Sequence, residues 1–556
     1  MTMIRHHLEG VLFLVLWLGP AASALAAPGD VKRTLDGPCK YPAGLATDGK
    51  HLFVVDWRAA KIHQVSAADG QRGKVLDAPT LKPQGLAWGA GRLFVSDDRS
   101  GWVYVLDPET GTVEHSFEAP GPRPTGLAYG DDGLFILERK SGQISKVAPD
   151  DGTILAYIQT PNDTCTGLTF DGKYLWASDR VKNEIYRVDP ASGMVLGILA
   201  APGPYAAGLA WLDGCLWNVD FQTRKMYQIA IKDEQKYRLS DPREARVEYV
   251  WAVYNYGPGE IKNVTVNFAV PERLPSQELL SELDYAVPPA RLATDRWGQH
   301  CAVYELASVP AGTRQVFSYS VKARVSAIHY LIDPAETGTL ADIPADLRKA
   351  YTVDGARYRI DTPFIKATVK TVVGDEQNPY WIARKIFNYV IDKLEYEMVG
   401  GWDIPEVVLK RGKGSCSEYT FAFIALCRAA GLPARYQGSV VVRGDDASVD
   451  EAFHRWAEVY LPNYGWVPVD ANAGDAKAPA DQARGIGERS NRYLITTQGG
   501  GDSEYLDWTY NSYAKYQATG YCKVEEENLA LWEPLKTADQ PAGSTDARNP
   551  GPRKPG

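Results

Sequence analysis

Residues 84–117 read QGLAWGAGRLFVSDDRSGWVYVLDPETGTVEHSF. Residues 84–88, 93–96 and 103–106 are short apolar or aromatic runs separated by turn residues. Asp107-Pro108-Glu109-Thr110-Gly111 is a turn cluster, and residues 113–117 make a fourth run. Apolar runs of four to six residues bounded by Gly, Asp and Pro predict strands.

The same marks recur along the first half of the chain. Gly44-Leu45, Gly85-Leu86, Gly126-Leu127, Gly167-Leu168 and Gly208-Leu209 stand 41 residues apart. Leu52-Phe53, Leu93-Phe94, Leu134-Phe135, Leu175-Trp176 and Leu216-Trp217 keep that step, and so do the acids Asp56, Asp97, Glu138, Asp179 and Asp220. Four strands in about 40 residues is the period of a β-propeller blade. The pattern resembles NHL-type propellers and predicts an all-β, five-bladed β-propeller over residues 27–235. Residues 31–35 resemble the fourth strands elsewhere, and the fifth unit lacks one, so the N-terminal strand is expected to complete the fifth blade. The repeated acids read as turn caps that accept backbone N–H bonds. Trp176 and Trp217 occupy the Phe position and read as core.

The 556-residue chain is too long for one core. Its net charge of −9 argues against a nucleic-acid surface, which needs clustered Lys and Arg. Residues 1–26 read as a signal peptide. Arg5 precedes the apolar run 11–18, Gly19-Pro20 breaks it, and Ala24-Leu25-Ala26 supplies small residues for cleavage. That run is far short of the ~20 residues that span a bilayer. An exported protein, periplasmic or secreted, with no membrane span after cleavage, is the expectation.

Residues 236–344 lose the repeat but keep period-2 strands: Val264, Val266, Phe268 and Val270 in one, Phe317, Tyr319 and Val321 in another. An immunoglobulin-like β-sandwich is predicted there, as a spacer or substrate-positioning element. Asn263-Val264-Thr265 fits a glycosylation sequon.

Residues 345–535 carry the chemistry. Asn378 and Pro379 open a helix whose apolar face holds Ala383, Ile386, Phe387, Val390, Ile391 and Leu394. Gly412, Gly414 and Ser415 then mark a turn into an apolar helix that starts about Cys416 and ends before Gly431 and Pro433. A cysteine in the first turn of a buried helix is biased toward thiolate, the attacking species. His454 lies on a predicted strand, Pro462 to Gly465 form a turn, and Asp470 ends the returning strand. A hairpin centred on Pro462 makes His454 and Asp470 a direct cross-strand pair; a centre further along the turn offsets them but leaves them neighbours. Cys416, His454 and Asp470 are the candidate catalytic residues: nucleophile, base and orienting acid. Trp402 and Gln437 are considered for the oxyanion. Cys427, about three turns along the helix, reads as inert core. The seven cysteines include no CxxC pair and no Cys/His spacing that suits zinc, and no metal or cofactor is expected.

Gly414-Ser415-Cys416-Ser417-Glu418-Tyr419, Ala429-Ala430-Gly431-Leu432-Pro433-Ala434-Arg435, His454-Arg455-Trp456-Ala457-Glu458-Val459 and Gly465-Trp466-Val467-Pro468-Val469-Asp470 together resemble the transglutaminase-like superfamily. The resemblance implies a papain-like α+β core, with Cys416 on a helix packed against a sheet carrying His454 and Asp470. It implies acyl transfer through a thioester. Resolution by water makes a cysteine peptidase or amidase; resolution by an amine makes a glutamine–lysine crosslinking acyltransferase. No calcium-loop pattern appears. The expected substrate is a protein or peptide-containing polymer, and the propeller is expected to bind a protein or glycan. A non-catalytic, propeller-based binding protein is the alternative of another class. Residues 536–556 lack apolar side chains to bury and are expected to be disordered.

Overall fold

The computed structural model describes residues 27–139, 141–232, 235–398, 402–444 and 447–535. The predicted signal peptide and the C-terminal tail lie outside the described residues. No helix among the described residues is long and apolar enough to cross a membrane.

The N-terminal half forms propeller-like four-stranded antiparallel sheets, one per repeat. The first comprises Pro42–Thr47, His51–Asp56, Lys61–Ser66 and Arg72–Asp77. In the last, Val31–Asp36 pairs with Lys225–Ala230 and supplies the strand that the fifth repeat lacks. The repeated glycines exist because first strands of neighbouring sheets touch backbone to backbone. A methyl group on Gly167 would sit 2.0 Å from the Ala207 carbonyl oxygen, and one on Gly208 would sit 2.4 Å from the Leu45 nitrogen. The fifth sheet therefore meets the first. Aromatic pairs staple successive sheets: Phe53 on Trp88, Phe94 on Tyr129 and Trp176 on Trp211, with centroids 5.5 to 6.3 Å apart. Trp176 and Trp217 are fully buried.

The repeated acids act as clamps. Asp56 Oδ1 accepts the N–H groups of Arg58 and Ala59, Asp97 those of Arg99 and Ser100, and Asp179 those of Val181 and Lys182. The second oxygen of Asp56, Asp97 and Asp220 accepts from Tyr41, Lys82 and Tyr205 in the preceding loop.

The middle of the chain is a nine-stranded sheet built along Tyr237–Ala269. Thr313–Tyr330 pairs with its first part and His300–Val309 with its second. Its buried faces hold an aromatic cluster of Tyr249, Trp251, Phe268, Tyr304, Phe317 and Tyr319. The division at residue 344 needs one correction. Ser512–Pro534, read from sequence as part of the C-terminal unit, pairs with Tyr237–Ala269 from Phe268↔Ser512 to Ala245↔Pro534. The chain returns to the middle sheet and covers an edge that would otherwise be open.

The C-terminal unit is α+β. Helix Cys416–Ala429 lies among helices Pro363–Val372, Pro379–Lys393 and Pro405–Arg411 and packs on a sheet ordered Gly465–Val469, His454–Leu461, Ala434–Val441, Tyr493–Gly499. Residues 417–428 of the helix are all buried, so its apolar character on every side follows from being surrounded. The unit is tied to the fourth four-stranded sheet. Arg484 reaches Glu184 at 2.6 Å, Arg384 donates to the Val195 carbonyl at 3.2 Å, and Ala480 N–H donates to the Pro161 carbonyl.

Candidate active site

Cys416 opens its helix, and a buried acid fixes that opening. Glu418, 2% exposed, accepts the Ser415 N–H at 3.0 Å, the Asp403 N–H at 3.2 Å and the Arg411 guanidinium at 2.9 Å. A carboxylate in the first turn also complements the helix dipole. Four residues along, Thr420 donates to the Arg455 carbonyl at 3.1 Å and holds the helix start against the strand that carries His454.

The hairpin carrying His454 and Asp470 turns one residue later than the Pro462 register. Leu461 pairs with Gly465 and Ala457 with Val469, so the centre falls at Asn463. Asn463 and Gly465 take φ of 66° and 77°, which an Asn and a Gly tolerate. The two residues are thus offset rather than directly opposed, yet His454 Nε2 lies 2.6 Å from Asp470 Oδ2. Asp470 Oδ1 accepts the Ala473 N–H at 3.0 Å, and the Asp470 N–H donates to the Gly485 carbonyl. With Nε2 committed to Asp470, Nδ1 is the ring nitrogen left to serve the Cys416 thiol, whose ionisation is coupled to that of His454. Tyr493 and Trp456 stack near the imidazole, with centroids 5.5 and 5.7 Å away.

The electrostatics favour an ion pair. Burial pushes the Cys416 thiol up. The hydrogen bond and charge of His454, the Arg455 backbone N–H and the Arg455 charge outweigh it, and the net shift is downward. Burial depresses His454. The charge and hydrogen bond of Asp470, helped by Cys416, overcome that and hold the imidazolium well above its ordinary range. Elsewhere burial prevails: Cys39 is pushed up to about 12, and Cys427 and Cys165 are driven well above the ordinary thiol range. All seven cysteines are free thiols in the structure.

Sequence reasoning missed Arg455. It is fully buried one residue after His454 and alternates to the other face of the strand. Nη2 donates to the Trp508 carbonyl at 2.9 Å. The rings of Tyr510, Tyr436, Phe421 and Trp402 surround the guanidinium, with centroids 4.3 to 4.8 Å from Cζ. No carboxylate among the described residues lies within salt-bridge distance, and Nε and Nη1 lack hydrogen-bond partners. The signal was present in the sequence. Ala457, Val459 and Leu461 share Arg455's face and are core, so a charged residue in that series stands out.

Cys416 and His454 line a cleft of about 560 Å³, together with Tyr396, Trp402, Asn472 and Tyr510. Gln437 is buried instead, on the strand beside Trp456, where its Oε1 accepts from Arg489. The structure therefore removes Gln437 as an oxyanion donor and leaves Trp402 at the cleft.

Residues 366–471 match the family model of the transglutaminase-like superfamily, and Cys416, His454 and Asp470 fall inside the match. The chain carries a transglutaminase-like domain. A Haemophilus influenzae protein, named only as uncharacterized, is 33% identical over 172 residues, which is 25% of this chain and 46% of that protein. The chain thus spans about half the length of the curated relative it matches. Among solved structures, a candidate cysteine protease from Cytophaga hutchinsonii is 18% identical over 55% of this chain and 95% of its own, with a TM-score of 0.38. Glutaminyl cyclase from Myxococcus xanthus is 17% identical over 37% of this chain and 99% of its own, with a TM-score of 0.34. Virginiamycin B lyase from Staphylococcus aureus is 18% identical over 35% of this chain and 68% of its own, with a TM-score of 0.26. At these scores none of the three transfers an activity to this chain.

Proposed function

We propose that this protein is an exported cysteine enzyme that cleaves or transfers amide acyl groups through a Cys416–His454–Asp470 triad and a thioester intermediate. The observation that carries the reading is a single imidazole shared between a thiol at a helix start and a carboxylate 2.6 Å away. The four-stranded sheets are read as a five-bladed propeller that binds substrate or partner, and the middle sheet as an immunoglobulin-like spacer.

In this account Cys416 Sγ attacks the acyl carbon, and N–H groups at the start of its helix stabilise the oxyanion. His454 gives its Nδ1 proton to the departing amine. The same nitrogen then takes a proton from water as that water attacks the thioester, releasing the acid and restoring the thiolate. Asp470 holds Nε2 and stabilises the imidazolium throughout. Hydrolysis is the reading preferred over crosslinking.

The test is incubation of mature protein with glutamine-containing peptides, with and without a primary amine, read by mass spectrometry. Mass changes of hydrolysis that persist when amine is added, and vanish in Cys416→Ala, support the proposal. An amine adduct as the dominant product would assign crosslinking. No product from wild type across a broad peptide set, or equal product from Cys416→Ala, would remove the enzyme reading.

A further inference from the structure

An acid stands at the same place in every unit of the N-terminal repeat, Asp in four and Glu in one, but the residue after each varies in charge and shape. Trp57, Asp98, Arg139, Arg180 and Phe221 follow Asp56, Asp97, Glu138, Asp179 and Asp220. A second series at the same step precedes them: Tyr41, Lys82, Arg123, Thr164 and Tyr205. The two series meet by backbone hydrogen bonds, from Trp57 N–H to Tyr41 O, Asp98 to Lys82, Arg139 to Arg123 and Phe221 to Tyr205. Scaffolding therefore repeats while the side chains it presents differ. That division is expected of a binding surface on a repeat fold.

These side chains converge on a cavity of about 240 Å³ where the first strands of all five sheets come together. Its lining holds five cations, Lys82, Arg99, Arg123, Arg139 and Arg180, against one carboxylate, Asp98. Asp98 is taken by Arg123 in a two-point pair of 2.8 and 3.0 Å. Among the described residues no carboxylate lies within salt-bridge distance of the other four cations. Lys82 Nζ sits 3.3 Å above the Trp57 ring, and Arg180 donates to the Tyr205 hydroxyl at 2.9 Å. The buried Thr166 hydroxyl, also in the lining, has no partner. Burial above all, with the charges of Arg180 and Arg123 adding to it and that of Asp98 opposing it, holds Arg139 below its ordinary range. This cluster stands in a chain whose net charge is −9. Folding gathers these cations at a cost in repulsion and desolvation that the single carboxylate Asp98, already paired with Arg123, offsets only in part.

We infer that this cavity is a binding site for a compact small molecule bearing at least two oxyanionic groups, carboxylate or phosphate. Arg139 and Arg180 supply planar donors to the oxyanions, Lys82 a point charge, and Trp57 and Phe221 apolar walls. The volume is below the 300 to 1,000 Å³ of typical small-molecule pockets, which favours a compact ligand. This deepens the reading of the propeller as a binding unit and does not depend on the thiol chemistry.

The experiment uses full-length mature protein carrying Cys416→Ala, so that its outcome is separate from catalysis. Calorimetric titration with citrate and with pyrophosphate, and acetate as the monoanion control, reads binding directly. At least one polyanion is expected to bind about tenfold or more tightly than acetate, and to weaken as salt rises. Citrate binding assigns a carboxylate ligand; pyrophosphate binding alone assigns a phosphate. Arg139→Gln with Arg180→Gln should weaken binding by about tenfold or more while far-UV circular dichroism is unchanged. Asp98→Asn, which removes the carboxylate and releases Arg123, should leave binding as tight or tighter, an effect opposite in sign to damage of the fold. Absence of binding by both polyanions, or binding unaltered by the double arginine substitution, would overturn the inference.

Discussion

His454 and Asp470 are 2.6 Å apart, although the sheet pairs His454 with Ser439 and leaves Asp470 one residue beyond its own strand. The contact is set by the turn after the strand, where Asp470 is fixed by the Ala473 N–H and the Gly485 carbonyl. The ladder itself does not enforce it.

Asp470→Asn should keep this geometry and lose the charge. Asp470 is the leading influence that raises His454, so the imidazole should titrate lower and the Cys416 thiol higher. Amide turnover should fall roughly 10² to 10⁴-fold, the range associated with a disabled acid–base partner. The thiol alkylation profile should move to higher pH.

The pH dependence follows from the two shifts. Cys416 is moved below its ordinary range, so the thiolate survives as pH falls past the point where a free thiol would protonate. His454 is moved well above 6.5, so the imidazolium survives through neutrality. The reactive ion pair exists between these limits, and kcat/KM should be bell-shaped, with the two limbs belonging to the coupled pair. The His454 shift adds stability that is present below about pH 6.5 and lost as pH rises through the folded-state value. A profile rising only above the free-thiol range would contradict this.

How much of this was legible in sequence depends on distance along the chain. The four-stranded repeat shows because each unit pairs strands a few residues apart and repeats one glycine contact. Cys416 shows because its turn and helix are local. The pairing of Ser512–Pro534 with Tyr237–Ala269 does not, since its partner lies more than two hundred residues away and its own side chains alternate like any edge strand. The hairpin register was open because Pro462, Asn463, Tyr464 and Gly465 all suit a turn, and only the positive φ at Asn463 and Gly465 selects the centre. The aromatic cage around Arg455 draws rings from four separate segments, which no local pattern reveals.

Arg455 should matter electrostatically. Arg455→Met keeps length and apolar packing among the four rings while removing a charge that lowers the Cys416 thiol. The alkylation midpoint should rise, by less than in His454→Ala, because the His454 hydrogen bond and charge rank ahead of Arg455. Replacing a buried cation by an apolar side chain is often neutral or stabilising, so the melting temperature should not drop sharply. An unchanged midpoint in a folded variant would show that the guanidinium is structural only.

A chain ending at Tyr510 should not fold stably. It loses the strand that pairs with both halves of Tyr237–Ala269, including buried Trp532 and Ala530. A chain ending at Leu535 should keep wild-type stability. Denaturant midpoints of the two, measured against the full chain, check this; equal midpoints for all three would refute the pairing.

The central claim is that Cys416 is an activated nucleophile. Its most direct test is iodoacetamide labelling of the mature protein across pH, with the labelled cysteine mapped by mass spectrometry. The account predicts selective labelling of Cys416 with a midpoint well below the ~8.5 of a free thiol, shifted upward or abolished in His454→Ala. An unreactive Cys416, or one labelled with the midpoint of an ordinary thiol in both proteins, would contradict it.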